Sequence, residues 1–440
     1  VSNAGPTEHD PDGASPSSAS VAGPPHRIDI RRLLDRIAAL AEIGPIAGGG
    51  SSRLALTDDD KAARGLVTTW MGDLGLTVSI DGIGNVIGMW EIGEGAPVLV
   101  GSHIDTVATG GRYDGNLGVL AGLEVIEALQ QSGATPNRPI GVGFFTNEEG
   151  ARFAPDMMGS LVYVGGLAIE EALDTVGIDG ARVADELERI GYSGPTPSPG
   201  PAPYAFVELH IEQGPVLEAA GLQIGAVTGV QGISWSEFTF TGRSSHAGTT
   251  PMELRNDPSI PASQLLLEAR HLAHLIGGPQ VATVGRFEPY PNLVNVIPRS
   301  VEMTLDVRNS DDEVLRHVEH VLFDYAETMA AQEGCSVERR SLARFEPVQF
   351  DERIVGLVEA TATGLGLSVQ QMPSGAGHDA QMFARICPTA MVFVPSVNGL
   401  SHNPAEFTEA ADLENGANVL INVVWTLATT GVELNGAVHE

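Results

Sequence analysis

Apolar runs of strand length stand at 97–101 (PVLVG), 139–145 (PIGVGFF), 205–209 (AFVEL) and 389–394 (TAMVFV). None alternates with polar residues, which predicts strands covered on both faces of a mainly parallel sheet. Between them the apolar spacing changes to that of helices. Segment 117–131 carries Leu120, Leu123, Ile126 and Leu129 on one face, and Gly133 ends it. A helix at 57–74 opens on Thr57 with Asp60 three residues later, a variant of the capping box. The middle of the chain has a different rhythm. Residues 233–241 (ISWSEFTFT) predict a strand; a helix at 259–276, strands at 281–287 and 301–308, a helix at 311–332 and a strand at 335–343 follow. This β-α-β-β-α-β order predicts a compact α+β, ferredoxin-like unit at 228–344. It interrupts an α/β domain with a mainly parallel mixed sheet, built from 27–227 and 345–430.

Composition narrows the picture. Residues 1–26 are rich in Gly, Pro, Ser and Ala and predict a disordered tail; the end from about Thr430 is expected to fray. The rest, in a chain of 440 residues that is 42% hydrophobic, has ample material for two cores. No run is apolar and long enough for a membrane span, and the N-terminus has no secretory pattern. Two cysteines, Cys335 and Cys387, exclude a disulfide framework. A soluble, cytoplasmic protein is expected. The net charge of -32 opposes binding to nucleic acid or anionic membrane. A small anionic substrate stays open, because one nearby arginine outweighs a field screened over about 10 Å. The only lysine, Lys61, lies in a polar run at a helix start, so Schiff-base, pyridoxal phosphate and P-loop chemistry lack their residue.

Four of the apolar runs end in polar clusters. GSHIDTVATGGRYDGN holds His103, Asp105 and Asp114; TNEEG holds Glu148 and Glu149; ELHIEQGP holds His210 and Gln213; SVNGLSHNPAE holds His402. In an open α/β sheet, ligands sit beyond the carboxyl ends of the strands, so these clusters should converge on one cleft. Three histidines with several carboxylates suit Zn²⁺, Mn²⁺ or Co²⁺. An aspartate can bridge two such ions about 3.5–4 Å apart. Of two adjacent glutamates, one can bind metal while its neighbour stays free as a base. Each piece alone has a plainer reading, since HxD is common and paired glutamates are usually solvated. Placement of every member at a strand end lifts the set above those readings. The Gly-rich segment 110–122 matches neither nucleotide-loop pattern. His271/His274 and His317/His320 are expected on exposed helix faces, and His9, His26 and His439 fall in the tails.

At these residues the chain resembles a known family. GSHIDTVATGGRYDG, TNEEGARF, ELHIEQGPVLE, SSHAGTTPM, NVIP, SGAGHDAQMF and FVPSVNGLSHNPAE look like the M20-type amidohydrolases. More narrowly they resemble the branch of N-carbamoyl-L-amino-acid hydrolases, allantoate amidohydrolases and β-ureidopropionases, in order over roughly residues 30–430. The resemblance implies two divalent ions (Zn, Mn or Co) on His103, Asp114, Glu149, His210 and His402, with Asp114 bridging. It implies Glu148 as general base and Asp105 as the partner that orients His103. It suggests Gln213, His246, Asn295 and Arg308 as substrate contacts, with His378 lining the same cleft. The inserted domain would then be a lid and the interface of a homodimer.

Physical chemistry supports part of this. Arg308 ends the strand VEMTLDVR, where a guanidinium could fork onto a carboxylate; its plainer reading is an ion pair with a nearby acid. His246 and Asn295 offer donors to a developing oxyanion. Peptidases and aminoacylases of the superfamily usually carry an acidic residue where this chain has His210, and their lid histidine lies in another context than SSHAGTTPM. The expected reaction is cleavage of the carbamoyl C–N bond of an N-carbamoyl-L-amino acid or allantoate, a small carboxylate-bearing substrate, releasing ammonia and CO₂. A peptidase or aminoacylase is the alternative. A metal-binding protein without turnover comes last, because neither the base nor a ligand is missing.

Overall fold

A computed structural model describes residues 25–430. Most of the expected tail, the expected fraying beyond Thr430, and His9 and His439 lie outside the described residues. Residue 26, counted in the tail from composition, is instead tied down. The main chain of His26 exchanges hydrogen bonds of 2.9 and 3.0 Å with the Asn422 side chain, and its ring meets Trp425 edge-on at 4.7 Å. One polar anchor does what the tail's few apolar side chains could not. Among the described residues, no helix is long and apolar enough to cross a membrane.

The larger sheet has nine strands. From one edge they run Thr77–Ile80, Val86–Trp90, Ile140–Phe144, Val98–Ser102, Ala205–Ile211, Thr389–Val394, Ile224–Val230 and Val348–Gln349, with Val369–Ser374 also beside Ile224–Val230. The four strands from Ile140–Phe144 to Thr389–Val394 are mutually parallel, and antiparallel partners flank them. Their residues are buried throughout, which is why their sequences show no alternation. Helices Asn116–Gln131 and Ala410–Thr429 pack on the central strands and on each other.

The smaller sheet carries its own core, with Phe238, Phe240, Leu305 and Val307 against Leu265, Leu315 and Leu322. Its strands run Phe287–Tyr290, Ser300–Asn309, Gly232–Thr241 and Ser336–Phe345, all antiparallel, with Val281–Thr283 also beside Ser300–Asn309. Helices Ser259–Ile276 and Asp312–Gln332 pack on it, giving the β-α-β-β-α-β unit. The single strand expected at 281–287 is two. Both pieces pair with Ser300–Asn309, but between them the Arg286 amide donates to the Thr304 hydroxyl (3.1 Å), which interrupts the ladder. The chain returns to the large sheet through Val348–Gln349, close to where it left. Gly232 makes this crossing possible, since a Cβ there would lie 2.7 Å from the ring of Pro347.

Helix Asp58–Asp73 shows how an expected cap became a brace. The Thr57 hydroxyl accepts from the Asp60 amide as the capping box requires, but Asp60 answers to Leu56 N (2.7 Å) and to Arg64 Nε (2.8 Å). Arg64 also donates to Gly84 O and to the Thr146 hydroxyl, just ahead of the two glutamates. Both partners of this ion pair are fully buried. Asp60→Ala strands a buried guanidinium and should cost about 3–5 kcal/mol, measured by urea denaturation.

Candidate metal centre

The four parallel strands end on the same side, and His210 and residues from the segments that follow the other three meet around Asp114. Its Oδ1 lies 3.2 Å from His210 Nε2 and 3.5 Å from His103 Nε2; its Oδ2 lies 3.5 Å from His402 Nε2. His402 Nε2 is also 3.2 Å from Glu149 Oε2, and His103 Nε2 is 3.4 Å from Glu148 Oε2. Two donor sets share Asp114, His103–Asp114–His210 and Asp114–Glu149–His402, each with its ligand atoms within 4.8 Å of one another; a third group among the described residues, Glu208–His210–His378, lies behind His210 without it. A carboxylate that gives one oxygen to each set is what a bridged pair of cations requires.

The rings are oriented for the same purpose. His103 Nδ1 lies 2.9 Å from the carbonyl of Asp105, and His210 Nδ1 lies 2.9 Å from that of Ile211. Each carbonyl takes an Nδ1–H, which turns Nε2 toward Asp114; at His210 that nitrogen also accepts from the Gly115 amide (3.1 Å). Asp105 meets the His103 ring through its main-chain carbonyl, and its carboxylate is turned elsewhere. That carboxylate accepts from the amides of Glu148 and Glu149, both at 3.4 Å, and so sets the second cluster against the first. Gly115, at φ +66°, could carry no side chain: a Cβ would sit 2.4–2.5 Å from three atoms of the His103 ring.

These residues wall a cleft completed by Asp156, Gln213, Ala376, Gly377 and His378. His103, His210 and Asp114 are buried, whereas the His402 side chain is 52% exposed and forms the open flank. Burial works against the charge of Asp114, yet the adjoining His103 and His210 rings hold its carboxyl well below the usual range. Burial, with Asp379, Glu149 and Asp114 nearby, pushes Glu148 well above the usual range despite His103. The sequence profile of peptidase family M20/M25/M40 matches residues 99–426, a span holding every one of these donors. The chain belongs to this family.

Within the M20/M25/M40 family it is similar to an N-carbamoyl-L-amino acid amidohydrolase of Geobacillus stearothermophilus, 41% identical over 403 residues, covering 90% of this chain and 98% of that one. An allantoate amidohydrolase of Bacillus subtilis is 35% identical over 401 residues, with 90% and 97% covered. Among solved structures, an amidase of the hydantoinase/carbamoylase family from Burkholderia multivorans superposes with a TM-score of 0.90 at 42% identity, covering 92% and 99% of the two chains.

On this M20/M25/M40 scaffold, some expected substrate contacts are in the cleft and others are not. Gln213 is there, but its amide donates to Asp114 Oδ2 (2.8 Å) and to Ser401 Oγ (3.2 Å), while the Ser401 hydroxyl donates to Asp114 Oδ2 (2.9 Å). His378 is there too; burial holds it well below the ordinary histidine value, and its Nε2 lies 2.9 Å from Ser374 Oγ. His246, Asn295 and Arg308 are not in the wall. A two-stranded ladder, Ser245–His246 with Val296–Ile297, brings His246 beside Asn295, both exposed. Arg308 forks onto Asp306 at 2.9–3.2 Å, the plainer of the two readings, and donates to Gly375 O (2.8 Å) at the edge of the cleft. His271, His274, His317, His320 and Lys61 are exposed, as expected.

Glu406 and Arg53 are among the residues that went unassigned in the sequence. Glu406 Oε1 accepts from the amides of Tyr113 (2.9 Å) and Asp114 (3.1 Å), holding the main chain of the bridging residue. Burial and the charge of Asp114 push its carboxyl up to about 7. Its signal was present, four residues after His402 in the same cluster. Arg53 is fully buried and bonds to the carbonyls of Leu40, Ile43 and Ile104 and to Asn116 Oδ1, bracing the HID and DGN turns together. Nothing in the pattern around Arg53 marks it.

The Glu149 hydrogen bond raises His402 to about 9. A cation taking His402 at pH 7.5 must therefore displace a proton, and the apparent affinity should rise at least tenfold per pH unit toward about pH 9. Without metal the sign reverses: the His402–Glu149 pair stabilises fully below about pH 6.5 and is lost as pH rises through about 9. Calorimetry in buffers of different ionisation heat should find at least one proton released; none would mean that His402 is not a ligand.

Proposed function

We infer that the protein is a metal-dependent hydrolase of the carbamoyl C–N bond in a small carboxylate-bearing ureido compound, an N-carbamoyl-L-amino acid or allantoate. Ammonia, CO₂ and the amino compound are the products. The observation that carries this reading is Asp114 shared between two histidine–carboxylate sets, in a chain 41% identical to an N-carbamoyl-L-amino acid amidohydrolase. His103 and His210 with Asp114 would hold one ion, and Glu149 and His402 with Asp114 would hold the other; Zn, Mn and Co all suit the donors. Bound there, two divalent ions would polarise the ureido carbonyl and bring the ionisation of water from about 16 toward about 7.

Glu148 is placed to work as the base. It lines the cleft beside His103 but belongs to neither donor set, so it stays free to take a proton from the attacking water and return it to the leaving nitrogen. His246 Nδ1 accepts from the amides of Gly248 and Thr249 (3.1 and 3.2 Å), which leaves its proton on Nε2, available to a developing oxyanion. Closure of the inserted domain over the cleft brings His246, Asn295 and Arg308 to the substrate. Arg308 then exchanges Asp306 for the substrate carboxylate. Arg308→Ala should raise KM for carboxylate substrates roughly 10- to 100-fold with little change in kcat, checked by steady-state kinetics. A homodimer fits the exposed Leu267 and Leu275 on helix Ser259–Ile276, 63% and 71% accessible.

The test is ammonia release from protein stripped of metal and reloaded with Mn²⁺, Zn²⁺ or Co²⁺. Allantoate, N-carbamoyl-L-amino acids and N-carbamoyl-β-alanine form one arm; N-acetyl amino acids and dipeptides, followed by amine release, form the other. Metal-dependent turnover of a ureido compound supports the reading. Cleavage of acyl or peptide compounds alone replaces it with the aminoacylase or peptidase activity of the wider family.

A further inference from the structure

Asp156 is the acid in the cleft wall that the proposed reaction leaves without a task. Its neighbours in the wall are engaged: Asp114 with Gln213 and Ser401, Glu148 with His103, Glu149 with His402. Among the described residues Asp156 has no cationic partner, and its carboxylate makes no hydrogen bond to another residue. Burial lifts its carboxyl above the ordinary value even though the side chain remains accessible from the cleft. An unpaired carboxylate in a half-desolvated wall draws hydrogen-bond donors and repels anions.

Its position is built, not incidental. The Asn147 amide donates to the carbonyls of Phe153 (2.8 Å) and Pro155 (3.1 Å), and the Met157 amide donates to Glu148 O (2.7 Å). Residues on both sides of Asp156 thus hang from the two residues that carry the base. Gly150, at φ +62°, closes the loop from below; a Cβ there would lie 2.8–2.9 Å from three atoms of Asp156. The carboxylate is therefore held at a set offset from Glu148, while Arg308 meets the rim at Gly375.

We propose that Asp156 reads the end of the substrate remote from the scissile bond and selects for N–H donors there. This rests on the carbamoyl-hydrolase reading and narrows it. The favoured compounds are ureido acids with a second donor-rich group, such as a further ureido, a guanidinium or an ammonium. Those with a distal carboxylate are disfavoured. A planar pair of N–H groups can meet both oxygens of Asp156, a geometry that allantoate and N-carbamoyl-L-arginine share.

The experiment compares kcat/KM for allantoate, N-carbamoyl-L-arginine, N-carbamoyl-L-norleucine and N-carbamoyl-L-glutamate in the native enzyme, Asp156→Asn and Asp156→Ala. The native enzyme should favour at least one donor-bearing compound over norleucine by about 10- to 100-fold, the size of a charge-assisted contact. Which of the two it is identifies the source of the donors. Both variants should retain native activity on the norleucine compound within about twofold. They should lose most of the donor preference and gain on the glutamate compound. An unchanged ranking in the variants, or a native enzyme that treats donor and neutral ends alike, overturns the proposal. If the native enzyme turns over no ureido compound, the carbamoyl reading falls by itself. Calorimetric binding of L-arginine against L-norleucine, in native and Asp156→Asn protein, then decides Asp156: a native preference for arginine that the variant loses sustains the donor role, and equal affinities remove it.

Discussion

Glu148→Gln should keep its full complement of metal and lose about a thousandfold in kcat, within the range that a positioned proton-transfer group contributes. The two halves of this result come from different atoms. Metal retention follows because neither donor set includes Glu148, and because its main chain is held by Asp105 whatever the side chain. The loss of rate follows because a carboxamide of the same shape cannot take a proton from water. Metal analysis beside steady-state kinetics separates the halves. A variant with native rates removes Glu148 from the proton path. One that also loses metal makes Glu148 a ligand, and the base must be sought elsewhere.

Asp114→Ala should be more damaging, because Asp114 is the one residue common to both donor sets. Its loss would take an oxygen from each ion, remove one of two acceptors from Gln213 and from Ser401, and free His103 and His210 from their shared anion. Bound metal should fall from about two ions per chain to one or fewer, and activity to less than about 0.1%. Glu149→Ala is the informative comparison, since it touches only the set that contains His402. Retention of two ions in Asp114→Ala would show that the sets bind independently and that no bridge is needed.

The centre was legible in the sequence for a particular reason. The strands that carry it are buried on both faces, so they appear as unbroken apolar runs, and each run stops where the chemistry begins. Strand Thr389–Val394 and helix Ser259–Ile276 coincide with their expected limits, because apolar spacing alone decides them. Interactions made through the main chain were not legible. Sequence spacing put Asp105 beside His103 but could not tell that the carbonyl would meet the ring while the carboxylate turned to Glu148 and Glu149. Arg53 escaped for a similar cause, since three of its four partner groups are carbonyls, which every residue possesses. Arg308 and Asp306 were separable only by distance. Two residues apart on one strand, they share a face, and the acid already occupies the fork.

The order of the large sheet sets a schedule for making the protein. Strand Thr389–Val394, near the end of the chain, is not at an edge; it lies between Ala205–Ile211 and Ile224–Val230. Until it is synthesised, those two strands present open edges to each other across a gap, and the nascent sheet stays in two parts. Open edges of this kind invite pairing with other chains. The same late segment delivers His402 and Glu406, so the donor set of Asp114, Glu149 and His402 is completed only once this strand and the loop after it have been made.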